Sequence, residues 1–183
     1  VLTSQATIMT DLGDNQIAAF YEGAGAYGGD SKVESIEEPI VLAIIAPGNT
    51  QAMLSHTQGC RSKKIPFIAD PGQALPALSS GELEELLEGA LGLIANDYEW
   101  QLIQNKLGKT TTPLLTRLPW RIVTSAEKGS AIFVQEKEIK IPAYPVRKLV
   151  DPTGCGDAYR AGLMDGIVKG YSLEKSAHMG AYL

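Results

Sequence analysis

The residues best suited to chemistry lie in one short stretch near the C-terminal end of the sequence, where Gly154, Cys155, Gly156 and Asp157 follow one another. From Asp157 onward, apolar residues recur every three or four positions, which predicts an α-helix. The first amides of a helix have no partner within it and lie at the positive end of the helix dipole. Glycine lets a ligand approach this backbone closely. The stretch therefore predicts an anion site at the start of a helix.

Asp157 places a carboxylate beside this predicted anion site. Two negative charges so close are unfavourable unless the carboxylate has a task, such as taking the proton of a hydroxyl group that is being phosphorylated. The alternative is a glycine-rich turn that leads into a helix whose first turn Asp157 stabilises. Cys155 has two interpretations as well, a reactive thiol or, as we prefer, a small residue that offers its backbone N–H.

The full string from residue 151 to residue 159, D-P-T-G-C-G-D-A-Y, resembles the C-terminal signature of the PfkB (ribokinase-like) family of carbohydrate and nucleoside kinases, usually D-T-T-G-A-G-D-x-F. The resemblance implies ATP as phosphoryl donor and a sugar or nucleoside as acceptor. It implies that Asp157 is the catalytic base and that the amides of Gly154, Cys155 and Gly156 hold the charge of the transferred phosphoryl group. In many family members the positions of Asp151 and Thr153 help to hold a monovalent cation such as K⁺.

Asn96 and Glu99 follow a predicted strand and support two interpretations. By themselves they indicate a helix N-cap with acidic residues in the first turn. The spacing N-x-x-E also resembles a second motif of the family, in which Asn and Glu order the hydration shell of Mg²⁺ and the phosphates. Because Mg²⁺ prefers oxygen ligands and keeps several waters, a carboxylate that acts through water is chemically reasonable.

Residues 124–129 follow another predicted strand and resemble the nucleotide loop of the family, T-x-G-x-x-G. Thr124 and Gly129 match, but Ala126 stands in place of the middle glycine. If the loop needs a positive φ there, alanine would strain it by about 1 kcal/mol. The alternative for this segment is a β-turn that joins two strands.

The elements that must position these residues alternate between buried strands and helices. Continuous apolar runs predict strands at residues 40–46, 65–69, 90–95 and 121–124, the first buried on both faces. Helices are predicted at residues 49–64, 79–87, 97–106, 110–117, from 157 onward and at 173–183, with a hairpin at 131–135 and 138–141. This alternation predicts an α/β fold with a mainly parallel sheet flanked by helices.

Ligands of such sheets bind beyond the carboxyl ends of the strands. Asp70, Asn96, Thr124 and Asp157 each follow a strand or open a helix, so we expect them at one mouth. Asp70 would either approach a metal or stabilise the Pro-Gly turn that follows it, and we prefer the turn.

Residues 1–10 and 16–21 predict two strands of a ribbon that is marginal on its own. This ribbon resembles the lid of adenosine-kinase-like bacterial members of the family, which divides the chain into part of a β lid (1–22) and a kinase core (23–183). We expect residues 23–30 to form a loop and residues 31–39 to be irregular. The resemblance implies a possible homodimer through the lid, and it favours adenosine over ribose or fructose as acceptor.

Composition excludes several other classes of function. The net charge of −5 gives no basic field for nucleic acid, and the longest apolar run, residues 40–46, is too short to cross a bilayer. Cys60 and Cys155 lie far apart without metal-ligand spacing, which suits a reducing cytoplasm. His56 and His178 have no partners in the sequence and are expected on helix surfaces or in packing.

Both ends of the chain lie within predicted elements, which indicates a piece of a longer protein. The family segments that bind the acceptor and complete the adenine pocket have no counterpart here. We therefore expect the 183 residues alone to have little or no kinase activity. A non-catalytic nucleotide-binding relative, or an inactive fragment of such a kinase, is the alternative to an active enzyme.

Overall fold

The computed structural model describes residues 1–11, 16–108, 113–146 and 151–183, and its elements alternate as predicted. The first two are β1 (Gln5–Thr10) and β2 (Gln16–Tyr21). They are followed by β3 (Ala43–Ile45), α1 (Thr50–Ser62), β4 (Phe67–Ala69), α2 (Ser80–Leu87), β5 (Gly92–Asn96), α3 (Asp97–Leu107), α4 (Pro113–Arg117), β6 (Arg121–Thr124), β7 (Ser130–Val134), β8 (Lys137–Ile141), α5 (Cys155–Val168) and α6 (Leu173–Tyr182).

The strands form two sheets. The larger sheet has the order β3-β4-β5-β6-β7-β8, so each strand lies beside its neighbour in the chain. Its first four strands are parallel, and β7 and β8 are added antiparallel. The smaller sheet is the antiparallel ribbon of β1 and β2. The prediction of a mainly parallel α/β sheet with a small β ribbon is confirmed.

Helices cover both faces of the large sheet and explain the continuous apolar runs. Successive residues of a strand point to opposite faces. In β4, Phe67 and Ala69 pack into a core with α1 to α4, whereas Ile68 packs into a second core with α5 and α6. In β5, Leu93 and Ile94 divide in the same way. Strands that are covered on both faces carry apolar side chains at every position.

The strand at the edge of the sheet differs from its prediction. Residues 40–46 were expected to be buried on both faces, but β3 has only three residues, Ala43–Ile45, and Val41 is 67% exposed. Within the described part of the chain, β3 pairs with β4 alone. One hydrogen-bonded neighbour supports a shorter strand than two do, so hydropathy overestimated this element.

The predicted capping box of Ser79 and Glu82 begins α2, and Leu83, Leu86 and Leu87 are fully buried. Other boundaries agree with the prediction to within four residues, and residues 110–112 of the predicted 110–117 helix lie outside the described residues. None of the helices described is both long and apolar enough to cross a membrane.

The segment after the ribbon was predicted as a loop, but Gly23–Asp30 forms 3₁₀ turns, as do the three residues Val33–Ser35. The glycines let these turns pack closely on α1, because a Cβ on Gly28 would lie 3.3 Å from the Cβ of Ala52. The ribbon itself packs little, and every residue of β1 is exposed.

Candidate active site

A cleft of about 590 Å³ lies at the carboxyl ends of β3 and β4, beside the start of α5. Its walls come from four parts of the chain: the segments that follow β3 and β4, the first turn of α3, and α5. The lining residues are Ile44, Ala46, Pro47, Asp70, Gly72, Gln73, Glu99, Asp157, Arg160, Ala161 and Met164. The structure thus brings together Asp70, Glu99 and Asp157, three of the residues identified in the sequence.

The start of α5 is open. Gly154 has a φ of 85°, a left-handed conformation that L side chains rarely adopt, and no side chain caps the helix. Among the described residues, the amides of Gly154 and Gly156 have no hydrogen-bond partner, whereas the Cys155 amide donates to the carbonyl of Pro152 at 3.1 Å. Of the three amides predicted to hold a phosphoryl group, two are free and that of Cys155 is already used in a turn.

Asp157 lies in the first turn of α5, where its exposed carboxylate lines the cleft. A carboxylate in this position interacts favourably with the positive end of the helix dipole. The arrangement fits an acid–base group directly beside an anion site. It also fits simple stabilisation of the helix, the alternative left open by the sequence.

The interpretation of Asp70 as a turn residue is wrong. Both of its carboxylate oxygens face Arg160 of α5: the guanidinium Nη2 donates to Oδ1 at 2.9 Å, and Nε forms an ion pair with Oδ2. The Asp70 side chain is 1% exposed and that of Arg160 21% exposed. A carboxylate buried so completely needs a cation, and the Pro-Gly turn offers none.

Burial raises the pKa of Asp70, and the hydrogen bond and charge of Arg160 act in the opposite direction. For Arg160, burial works against the charge, but the hydrogen bond and charge of Asp70 outweigh it and raise the pKa of the guanidinium. The carboxylates of Glu99 and Asp157 are close enough to act on both groups. Arg160 therefore stays positively charged at one wall of the cleft.

Asn96 and Glu99 form the cap that the first interpretation predicted. The Asn96 side chain accepts from the Glu99 amide at 2.7 Å, and the Glu99 carboxylate accepts from the Asn96 amide at 2.8 Å. Glu99 lines the cleft, and its second carboxylate oxygen takes no part in this box. Asn96 does not line the cleft; it ends β5 beside Thr124, its partner in the sheet register.

The predicted nucleotide loop turns between β6 and β7 as a 3₁₀ turn, Ala126–Lys128, closed by a bond from the Ser125 amide to the Gly129 carbonyl at 2.8 Å. Ala126 has a φ of 45°, so alanine does occupy the strained conformation that the sequence suggested. The cost is about 1–2 kcal/mol. Gly129 has a φ of 86° and no room for a side chain.

One buried hydrogen bond ties this loop to α5. The hydroxyl groups of Ser130, which follows Gly129, and of Tyr159 lie 2.8 Å apart. Burial raises the pKa of Tyr159, so the phenol stays protonated at neutral pH. Sequence analysis missed this contact and the one between Asp70 and Arg160. For Arg160, the sequence did offer one indication: it lies three residues after Asp157 in the predicted helix, a spacing that puts both side chains on the same face.

The two residues assigned to a monovalent cation form a local turn. The Thr153 amide donates to Oδ1 of Asp151 at 2.8 Å, and this bond lowers the pKa of Asp151. Both residues are exposed. His56 and His178 lie outside the cleft: His56 bonds the carbonyl of Ser31, and His178 packs edge-on against Tyr144.

The profile of the pfkB family carbohydrate kinases matches residues 2–183. The nucleoside kinase of Methanocaldococcus jannaschii is 36% identical over 179 residues, which cover 98% of this chain and 58% of that protein. The chain therefore spans a little over half the length of this relative.

Solved structures agree with the sequence matches. The nucleoside kinase of Burkholderia thailandensis in complex with inosine is 36% identical with a TM-score of 0.93, covering 98% of this chain and 60% of that one. Its ADP-inosine complex is 37% identical with a TM-score of 0.89, covering 98% and 57%. The ribokinase of Thermotoga maritima, at 20% identity and a TM-score of 0.74 over 98% of this chain and 61% of that one, shares the fold.

Proposed function

The chain belongs to the pfkB family of carbohydrate kinases, and we propose that it carries the catalytic centre for ATP-dependent phosphorylation of a hydroxyl group on a nucleoside or sugar. A nucleoside is the favoured acceptor, because the relatives at 36–37% identity are named nucleoside kinases and one was solved with inosine. One observation carries the proposal: Asp157 lines the cleft and directly follows Gly154 and Gly156, whose amides have no hydrogen-bond partner among the described residues.

The reaction requires little covalent chemistry from the protein. Asp157 accepts the proton of the acceptor hydroxyl while the oxygen of that hydroxyl forms a bond to the γ-phosphorus of ATP. The bond from that phosphorus to the β,γ-bridging oxygen breaks, and ADP leaves. Throughout, the amides of Gly154 and Gly156 donate to the oxygens of the transferred phosphoryl group, where negative charge is spread in the transition state.

The residues that face the cleft fit Mg²⁺ bound through water. No three carboxylate, histidine or cysteine side chains converge on a metal position in residues 1–11, 16–108, 113–146 and 151–183. Glu99 has one carboxylate oxygen outside its capping box, and it would hold a metal-bound water. Asn96 would act through Glu99, by fixing that side chain. When bound, Mg²⁺ neutralises charge on the ATP phosphates.

We assign the remaining nucleotide contacts to the loop of Thr124, Ala126 and Gly129, which the Ser130–Tyr159 hydrogen bond joins to α5. A potassium ion near Asp151 and Thr153 is a further part of this proposal. Both the amide and the side chain of Thr153 hydrogen-bond Asp151, and the lone pairs of the Asp151 carboxylate and the Thr153 hydroxyl that these bonds do not use would face a cation.

The ribbon of β1 and β2 is proposed to close over the acceptor and to pair with a second copy of the chain. Apolar side chains are exposed along it, among them Met9 (62%), Ile17 (70%) and Phe20 (67%). Exposed apolar surface of this kind is typical of sites that contact a ligand or another protein. Sedimentation of the protein and of Phe20→Ser would test pairing: a monomer in both cases would contradict it.

We place the protein in the cytoplasm, where ATP is available and thiols stay reduced. Cys60 and Cys155 are both free, and Cys155 is exposed in the turn that leads into α5. A disulfide at that position would crowd the anion site.

The test is ADP release by the protein expressed with its flanking coding sequence, in parallel with the 183-residue chain, on adenosine, inosine, ribose and fructose. We expect turnover on a nucleoside that depends on Mg²⁺ and on Asp157. ADP binding without turnover on any acceptor would instead favour a non-catalytic nucleotide-binding relative.

A further inference from the structure

We propose that Arg160 is a phosphoryl-binding residue of this site and that buried Asp70 is the residue that orients it. The inference rests on the proposed function, since it names a further contact to the group that is transferred. Its evidence is separate from the signature motif: it lies in the ion pair between α5 and the segment after β4, and in the space beside Gly156.

Asp70 occupies only one edge of the guanidinium. Its two oxygens face Nε and Nη2, so the opposite end of the group, Nη1, is left over. Among the described residues Nη1 has no hydrogen-bond partner. Arg160 lines the cleft, and Nη1 is the end of its guanidinium that Asp70 does not engage. A buried carboxylate that holds one edge of an arginine fixes the direction of the other edge.

Nη1 lies directly against the start of α5. A Cβ added to Gly156 would be 2.6 Å from Nη1, closer than two such atoms approach in proteins. A side chain at Gly156 would therefore displace the Arg160 guanidinium, and no positive φ is involved at this position. The guanidinium stands beside the backbone whose free amide is assigned to the phosphoryl group. An oxygen bound at that amide is within reach of Nη1.

Asp70 also determines what Arg160 does not bind. Arg160 is three residues from Asp157 on the same helix, a spacing at which side chains meet, and the charges of Asp157 and Glu99 both act on it. Without Asp70, the guanidinium would still be attracted by the carboxylates of Glu99 and Asp157. An ion pair between Arg160 and Asp157 would occupy the carboxylate that is proposed to accept the proton. The buried pair therefore keeps Asp157 available and the cation aimed at the anion site.

In the transfer step, Nη1 donates to a non-bridging oxygen of the γ-phosphoryl group. The acceptor oxygen bonds the phosphorus, the bond to the β,γ-bridging oxygen breaks, and the acceptor proton goes to Asp157. Arginine gains or loses no proton. Its positive charge stabilises the charge on the equatorial oxygens, which is greatest in the transition state.

A purely structural pair would hold α5 on the sheet and do nothing else. The experiment separates the two roles in the full-length protein with Asp70→Asn/Arg160→Gln, which removes both charges so that neither is left buried alone. Gly156→Ala is the second variant, because it keeps both charges and places a Cβ where Nη1 lies, so that the guanidinium must turn away from the start of α5. Lys169→Gln is the matched control, since it breaks an exposed ion pair with Asp165 on the same helix.

We expect the double variant and Gly156→Ala each to lower kcat by about 10²-fold or more. Both should bind the β,γ-imido analogue of ATP about tenfold more weakly relative to ADP, because only the analogue carries the third phosphate. Lys169→Gln should change neither value. Equal loss of ADP and analogue binding, or unchanged kcat in Gly156→Ala, would overturn the assignment of Arg160. Absence of turnover in the unmodified protein would instead overturn the proposed function, and this inference with it.

Discussion

The starts of α2 and α5 differ in what they offer a ligand. At α2, the Ser79 hydroxyl accepts from the Glu82 amide and the Glu82 carboxylate accepts from the Ser79 amide at 2.8 Å, so the helix satisfies its own first donors. At α5, a left-handed glycine takes the cap position, and the amides of Gly154 and Gly156 have no partner within the described part of the chain. A helix end that is closed by its own side chains adds stability. An end left open, at some cost in stability, can bind an anion.

The start of α3 lies between these two cases. It carries the same kind of capping box as α2, built from Asn96 and Glu99, yet Glu99 also lines the cleft. The local hydrogen bonding of the two caps is therefore the same. They differ in the position of the glutamate, since Glu99 lines the cleft that also contains Asp157.

The largest effect is expected at the carboxylate of the open helix end. Asp157→Asn should lower kcat by about 10²–10⁴-fold, because the amide side chain cannot take the acceptor proton. ADP affinity and melting temperature should hold, since Asp157 is exposed. Steady-state kinetics measure the loss, and Glu82→Gln at the closed end is the control. Equal kcat for Asp157→Asn and the unmodified protein would make both helix starts purely structural.

The next effect concerns the open end itself. Gly154→Ala places a Cβ at a φ of 85°, which costs about 1–2 kcal/mol of unfolding free energy or turns the free amides away. We expect the KM for ATP to rise about tenfold if one amide contact to phosphate is lost. Thermal unfolding and ATP titration give the two values. A variant with unchanged KM would show that this backbone does not contact ATP.

A smaller effect should separate the two capping boxes. Glu99→Gln and Glu82→Gln both keep the reciprocal cap, because glutamine replaces glutamate in such boxes. Only Glu99→Gln should raise the Mg²⁺ concentration needed for half-maximal activity, by severalfold, as expected for a water-mediated metal contact. Mg²⁺ titrations at fixed ATP compare them. If the Mg²⁺ titration curves of the two variants coincide, Glu99 only caps α3 and does not contact the metal's water.

The smallest effect should appear in stability alone. Ser79→Ala removes the side-chain cap of α2 and should lower the free energy of unfolding by about 1 kcal/mol, with kcat and KM unchanged. Denaturant unfolding together with an activity assay checks both. A change in KM would mean that α2 is coupled to the cleft.

Patterns of local sequence were sufficient for most of the fold. The apolar runs predicted β4, β5 and β6 because both faces of these strands are covered, and the spacing of Leu83, Leu86 and Leu87 predicted α2. Hydropathy failed at β3, since an apolar run does not reveal how many neighbours a strand has. The prediction for Gly23–Asp30 also failed. Its glycine content suggested a loop, but the segment packs on α1 and forms 3₁₀ turns.

The site could be predicted only as far as it is local in sequence. Gly154, Gly156 and Asp157 were identified because a short motif contains them, and Ala126 because it departs from one. Arg160 was missed because an arginine on a helix is ordinarily a surface residue. Asp70 was misread because aspartate before Pro-Gly is common in turns. Their contact joins residues 90 positions apart, which no local pattern encodes.

That separation of 90 residues also has a consequence for biosynthesis. Ribosomes add about 5–20 residues per second, so roughly 5–20 s pass between the synthesis of Asp70 and that of Arg160. During this interval the carboxylate at the end of β4 has no guanidinium to neutralise it and must remain hydrated. The sheet edge beside it can become dry only after α5 has emerged and docked. The cleft is therefore completed only after α5 has been synthesised, the same helix that carries Asp157.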